Sequence, residues 1–119
     1  MGVRSRSVRS ITVLEVSGKF FGDEETDQLK KAIADAAASG NSRLVLDMSE
    51  CNMMNSTVLT VLVNAHKNYD ARQGMIKICG LQQRMENMLV MTRLINVFGH
   101  YPTAGEAIAS FAETPTGAA

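Results

Sequence analysis

Apolar and polar positions follow two rhythms along this chain, and the changes between them lay out its elements. Ile11-Thr12-Val13-Leu14-Glu15-Val16 is β-branched and apolar, which predicts a strand that Ser17-Gly18 ends. Upstream, the stretch Val3 to Val8 alternates with Arg4 and Arg6. It reads either as a polar edge strand paired with 11–16 or as a loose tail. Charge on an edge strand blocks unwanted pairing, which favours the strand. The period then lengthens. Asp23-Glu24-Glu25-Thr26 opens a helix with acidic residues that suit the positive end of its dipole. Leu29, Ala32, Ile33, Ala36 and Ala37 form one apolar stripe, with Lys30, Lys31 and Asp35 facing away. Gly40 sits where a terminating glycine belongs.

Leu44-Val45-Leu46, ending in Asp47, predicts a strand buried on both faces. Met48 to Asn55 reads as a connection rich in methionine and small polar residues. A second helix is predicted from Ser56 to Ala71. Its first half (Val58, Leu59, Val61, Leu62, Val63, Ala65) is apolar nearly all round, and its second half (Lys67, Asn68, Asp70, Arg72) is polar. The first half should therefore be buried and the second exposed, with Gly74 ending the helix. Met75-Ile76-Lys77-Ile78-Cys79 predicts a third strand closed by Gly80. Leu81, Met85, Met88, Leu89 and Thr92 mark a third helix, and Val97-Phe98 a short last strand. Thr103 and Glu106 have the spacing of a capping box. It opens a last helix with Ala104, Ala107, Ile108 and Phe111 on its apolar face. Residues 113–119 are small and include Pro115, as expected of a disordered tail.

Strands alternating with helices predict an α/β fold. The expectation is a mostly parallel sheet of four to five strands, with an antiparallel N-terminal edge hairpin, packed against about four helices. Residues 1–112 form its single domain. In such sheets functional sites gather beyond the carboxyl ends of the strands. Here that edge holds 18–22, 48–56 and 80–82.

Composition narrows the functional classes. A chain of 119 residues fits one domain, and 45% hydrophobic residues exclude wholesale disorder. Twelve basic and twelve acidic side chains give zero net charge. That balance argues against direct nucleic-acid binding and against general attraction to anionic membranes. Apolar runs are short, so no membrane insertion is expected. Arg4, Arg6 and Arg9 precede no apolar segment of the signal-peptide kind. Cys51 and Cys79 lack metal-ligand spacing and read as reduced, buried thiols of a cytoplasmic protein, against the alternative of one disulfide.

The chemistry converges on Asn55-Ser56-Thr57. Asparagine is a leading cap residue, so Asn55 would cap the second helix and place Ser56 in its first turn. A phosphate on Ser56 would meet the positive end of the helix and add about −1.5 to −2 charges to a neutral surface. The plain alternative is a helix start and nothing more. Asp47, at a strand end, resembles a receiver phosphoacceptor only in position, since no second acidic residue accompanies it to hold Mg²⁺. His66 and His100 have no spacing to a nucleophile or metal ligand. Met85 and Met88 read as core. Arg84, Arg93 and Lys77 have no glycine-rich phosphate loop beside them. No catalytic residue, metal or cofactor is expected.

Taken in order, several segments resemble the STAS domain, specifically the bacterial anti-sigma factor antagonists. These are Ile11 to Gly18; Leu44-Val45-Leu46-Asp47-Met48-Ser49; Met54-Asn55-Ser56-Thr57-Val58-Leu59; Ile78-Cys79-Gly80-Leu81; Met91-Thr92-Arg93-Leu94 with Val97-Phe98; and Tyr101 to Ala107. The resemblance implies a switch. The unphosphorylated protein would bind an anti-sigma factor, usually a serine kinase, and release the sigma factor. Phosphorylation would end that binding, and a serine phosphatase would restore it. The phosphoacceptor position matches Ser56, with Thr57 second, and Asn55, Ser56, Thr57 and Val58 would meet the partner. Asn55 stands where the family carries aspartate, so a negative charge beside the acceptor is gone. Val58 stands where the family carries glycine. These two departures motivate an alternative: an unphosphorylated STAS adaptor in a signalling assembly or a lipid transporter. A small enzyme or ligand-binding domain is a third reading, resting on the strand-end rule alone. The arginine-rich start leaves room for a homodimer.

Overall fold

A computed structural model describes residues 2–8, 10–20, 24–40, 42–94 and 98–113. The elements run β1 (Gly2–Val8), β2 (Ile11–Phe20), α1 (Glu24–Ala38), β3 (Arg43–Met54), α2 (Ser56–Ala71), β4 (Met75–Cys79), α3 (Gln83–Met91), β5 (Gly99–Tyr101) and α4 (Ala104–Glu113). One sheet holds the five strands in sequence order. β1 pairs antiparallel with β2, so Val3 to Val8 takes the edge-strand alternative; β2, β3, β4 and β5 are parallel.

That monotonic order fixes where the helices go. Each parallel step is bridged by one helix, and right-handed crossovers that advance in one direction all return over the same face. The main core lies there. Leu14, Leu46 and Ile78 of the sheet meet Leu29 and Ile33 of α1, Leu59 and Leu62 of α2, and Met85 and Leu89 of α3. α4 follows the last strand and packs on the opposite face, where Ala107 and Phe111 cover Val13, Val45 and Cys79. β3 is thus covered on both faces, as expected of its apolar run, and Leu44, Val45 and Leu46 are all buried.

The largest departure from the expected elements is the length of the two central strands. Gly18 does not end β2. It sits inside the strand at φ +103°, between two register shifts against β3. Glycine at such a bulge bends the strand and lets pairing resume, as it does at Lys19↔Met53 and Phe20↔Met54. The stretch Met48 to Met54, expected as a connection, is therefore strand, with Met48, Cys51 and Met54 fully buried. Register shifts hide the two-residue rhythm from the sequence.

Smaller corrections follow similar logic. The two halves of α2 are less distinct than expected: Tyr69 of the second half faces the core, and Val61 and Val63 of the first half are only half-buried. The left-handed residue after α2 is Gln73 (φ 61°), not Gly74. Gly74 answers a steric demand instead: a Cβ there would lie 2.7 Å from the Ser42 carbonyl oxygen. The last strand is 99–101; Phe98 is buried just before it, and Val97 lies outside the described residues. α4 extends to Glu113, one residue into the expected tail, and 114–119 lie outside the described residues. Thr103 Oγ1 accepts the Glu106 N–H at 3.2 Å, one half of the expected capping box.

Lys77, within β4, is 3% exposed despite its charge. Its ammonium donates to Ser110 Oγ at 2.6 Å and lies 4.3 Å from the centre of the Phe111 ring and 5.3 Å from that of Tyr101. A cation over two aromatic faces, with a hydroxyl acceptor, ties α4 to the sheet.

Candidate functional site

The end of β3 delivers Asn55 to the start of α2 and fixes it there. The Asn55 N–H donates to Phe20 O at 3.1 Å, so the residue is tied to the end of β2. Its backbone is extended (φ −93°, ψ 178°), the conformation of a helix cap. Its Oδ1 accepts the Val58 N–H at 3.2 Å. Its carbonyl accepts the N–H groups of Val58 and Leu59, each at 3.1 Å. Three elements, β2, β3 and α2, thus converge on one asparagine.

Ser56 and Thr57 follow as the first two residues of α2, and both are exposed. Helix geometry leaves their N–H groups without intrahelical acceptors. No acidic residue stands in the first turn to occupy the positive end of the dipole. The Ser56 carbonyl accepts Thr60 Oγ1 at 3.1 Å, further bracing the turn. Ser56 therefore presents its exposed side chain at a helix N-terminus that can receive negative charge. Val58 differs from its neighbours, being fully buried in the main core. Of the four residues grouped by sequence, three offer atoms at the surface and the fourth anchors the helix from below.

The chain just after β4 packs against the middle of β3. Gly80 takes φ +71°, and a Cβ there would lie 2.9 Å from Ser49 Cβ. Gln82 Nε2 donates to Ser49 O at 3.1 Å. The chain after β4 is thereby pressed against β3.

The remaining sequence candidates do not join this site. Asp47 Oδ1 accepts Ser49 N–H at 3.1 Å and Ser49 Oγ at 2.7 Å, a local turn-like bond within β3. His66 packs edge-on against Phe98 with ring centres 5.6 Å apart. His100 Nε2 lies 3.9 Å from Glu86 Oε1 on the surface. Met85 is core, as expected, and Met88 packs partly against it. Among the described residues no cluster of three His, Cys, Asp or Glu side chains could hold a metal ion. Cys51 and Cys79 are free and buried. Burial pushes the Cys51 thiol up to about 11, and burial with the negative charge of Asp47 pushes Cys79 up to about 12. Both are poor nucleophiles near neutrality.

An exposed serine thus opens α2 beyond an asparagine cap, at the carboxyl edge of the parallel strands. The STAS domain model matches residues 3–107, and the chain belongs to the STAS domain family. Solved structures share the fold. A protein from Thermotoga maritima, proposed to be an anti-sigma factor antagonist, is 22% identical with a TM-score of 0.84, over 91% of this chain and 92% of that one. The Bacillus cell fate determinant SpoIIAA in its phosphorylated form is 15% identical with a TM-score of 0.74, over 92% of this chain and 99% of that one. A sulfate transporter family protein from Wolinella succinogenes is 20% identical with a TM-score of 0.77, over 92% and 93%. No curated protein sequence matches the chain. Among the described residues no helix is long and apolar enough to cross a membrane.

Proposed function

We propose that this STAS domain is a cytoplasmic anti-sigma factor antagonist, a binding protein without catalytic activity, switched by phosphorylation of Ser56. One observation carries the reading. Ser56 is the exposed first residue of α2, held by a cap that is itself tied to β2, with no acidic neighbour in its turn. A kinase can reach the hydroxyl, and the phosphate can be accepted by the helix start without unfolding it. In the bound state the partner, an anti-sigma factor that is a serine kinase, covers Asn55, Ser56 and Thr57. Placing about −1.5 to −2 charges there costs the complex its desolvated contact, and a serine phosphatase reverses the change. Thr57 is the secondary acceptor.

The test is intact-mass analysis of protein isolated from its native cells, with peptide mapping across 51–67, beside a Ser56→Ala variant. One phosphate on Ser56, absent from the variant, is the expected result. A second reading is favoured by the neutral Asn55 and the buried Val58: an unphosphorylated adaptor within a larger assembly. Absence of phosphate across growth conditions, with partner binding intact in Ser56→Ala, would favour that adaptor.

A further inference from the structure

A groove of about 580 Å³ runs between α1 and α2, apart from the cap geometry that defines the serine site. Its size falls within the range of small-molecule sites. The two helices are joined to the sheet by like-handed crossovers and so run parallel, which opens a trough between them. From Thr57 at one end to Arg72 at the other it spans fifteen helical steps, about 22 Å. Ile33, Ala34, Ala37, Val61 and Ala65 give it an apolar surface.

Two features point to an occupant. The first is Tyr69, which lines the groove and is 2% exposed, with a buried hydroxyl that has no hydrogen-bond partner among the described residues. Such a group is costly to leave unpaired, and it is satisfied when the groove end opens enough for a ligand to bring an acceptor to it. The second is charge. Among the described residues the lining holds two cations, Lys30 and Arg72, and no carboxylate. Arg72 spends one guanidinium N–H on the Ala37 carbonyl at 3.2 Å, which holds the side chain across the groove end beside Tyr69 and leaves further donors. A guanidinium fork and a phenol at the end of an apolar trough match a carboxylate on an apolar tail.

We propose that the α1–α2 groove is a binding site for an amphiphilic carboxylate, with its tail along Ile33, Ala37 and Val61 and its headgroup at Arg72 and the Tyr69 hydroxyl. The site does not depend on the Ser56 switch, and the unphosphorylated chain alone tests it.

The probe is decanoate, titrated below its critical micelle concentration into the isotopically labelled full chain, with decanol as the uncharged counterpart. Saturable shifts confined to α1 and α2 amides are expected, with decanol binding more weakly. Tyr69→Phe should weaken decanoate about two- to tenfold, the net worth of one hydrogen bond, while leaving the free protein as stable or more so. Ala34 is exposed, so Ala34→Leu fills the trough from its open side without disturbing the core and should abolish the shifts. No saturable binding, shifts centred elsewhere, equal binding of decanol, or decanoate binding indifferent to both variants would each overturn the proposal.

Discussion

Replacing Asn55 by alanine asks whether the start of α2 is held as its geometry implies. The Asn55 side chain accepts the Val58 N–H at 3.2 Å, and the Asn55 carbonyl accepts the same N–H at 3.1 Å. Alanine removes the first acceptor and keeps the second. The cost should therefore fall at about 1 kcal/mol, well short of the roughly 2 kcal/mol of the most costly caps. For a domain of this size that is a Tm loss of about 3–6 °C. Glycine, which adopts the cap backbone freely, should cost only a few tenths of a kcal/mol. Asn55→Asp keeps the acceptor and adds a negative charge at the positive end of the helix. It should stabilise by about 0.3–1 kcal/mol at low ionic strength and lose that gain as salt is added. The assay is urea denaturation of the unphosphorylated protein, with midpoints compared at a common slope. The reasoning fails if alanine is no worse than glycine, or if aspartate is less stable than asparagine at low salt.

Two further perturbations probe the other face of the sheet and the core thiols. Lys77→Met replaces a buried ammonium by an apolar chain of similar length, while Ser110 Oγ still donates to Ala107 O at 2.7 Å. It should be neutral to within about 1 kcal/mol in urea denaturation, because desolvation and attraction nearly cancel. Lys77→Ala should cost about 2–4 kcal/mol by leaving a cavity beneath α4, and equal costs for the two variants would mean that the cation's contacts outweigh its burial. The thiols give a pH dependence of defined sign. In the folded state Cys51 and Cys79 keep their protons to about 11 and about 12, against an ordinary 9.0 once unfolded. Above pH 9 the unfolded state holds fewer protons, so this contribution is complete below pH 9 and is lost as pH rises through the folded values. The alkaline fall in the urea midpoint should be shallower in a Cys51→Ala, Cys79→Ala double variant, and an unchanged fall would count against it.

What the sequence shows and hides can be traced to particular residues. α2 is legible because Asn55 is a strong cap and because Val58, Leu59 and Leu62 recur at helical spacing and are buried. β4 is legible because Met75 to Cys79 is short, apolar and bounded by glycines. The long ends of β2 and β3 are hidden. Gly18 carries a strong stop signal, yet with φ +103° it acts as a bulge that lets the strand go on. The buried lysine is hidden for a different reason. Alternation along β4 assigns Lys77 to the face opposite Ile76 and Ile78, correctly, but nothing local says that α4 covers that face. The groove is hidden likewise. Tyr69 and Arg72 sit in a stretch whose charged neighbours read as solvent-facing, and only the approach of α1 gives them a common surface. Ser56 stood out because its site is local: cap, acceptor and helix start are consecutive residues.

The same geometry constrains how a phosphate at Ser56 would act. Asn55 is bonded to β2 through its N–H, to Val58 through its side chain, and to Val58 and Leu59 through its carbonyl. Val58 is locked in the core directly beneath. Neither the residue before Ser56 nor the one two places after it has room to shift without breaking several of these contacts, and packed cores change state rather than deform smoothly. A phosphate there meets a fixed helix end that already favours negative charge, so the fold has little reason to move. If the switch reading holds, the message must be the charge itself. The partner would read it by direct repulsion and lost desolvation at Asn55, Ser56 and Thr57. Ser56→Asp, with about half the phosphate charge, should then weaken partner affinity in a titration while leaving the amide spectrum beyond the first turn of α2 unchanged. A spectrum altered across the sheet would instead show a conformational switch, and the rigid-platform account would be wrong.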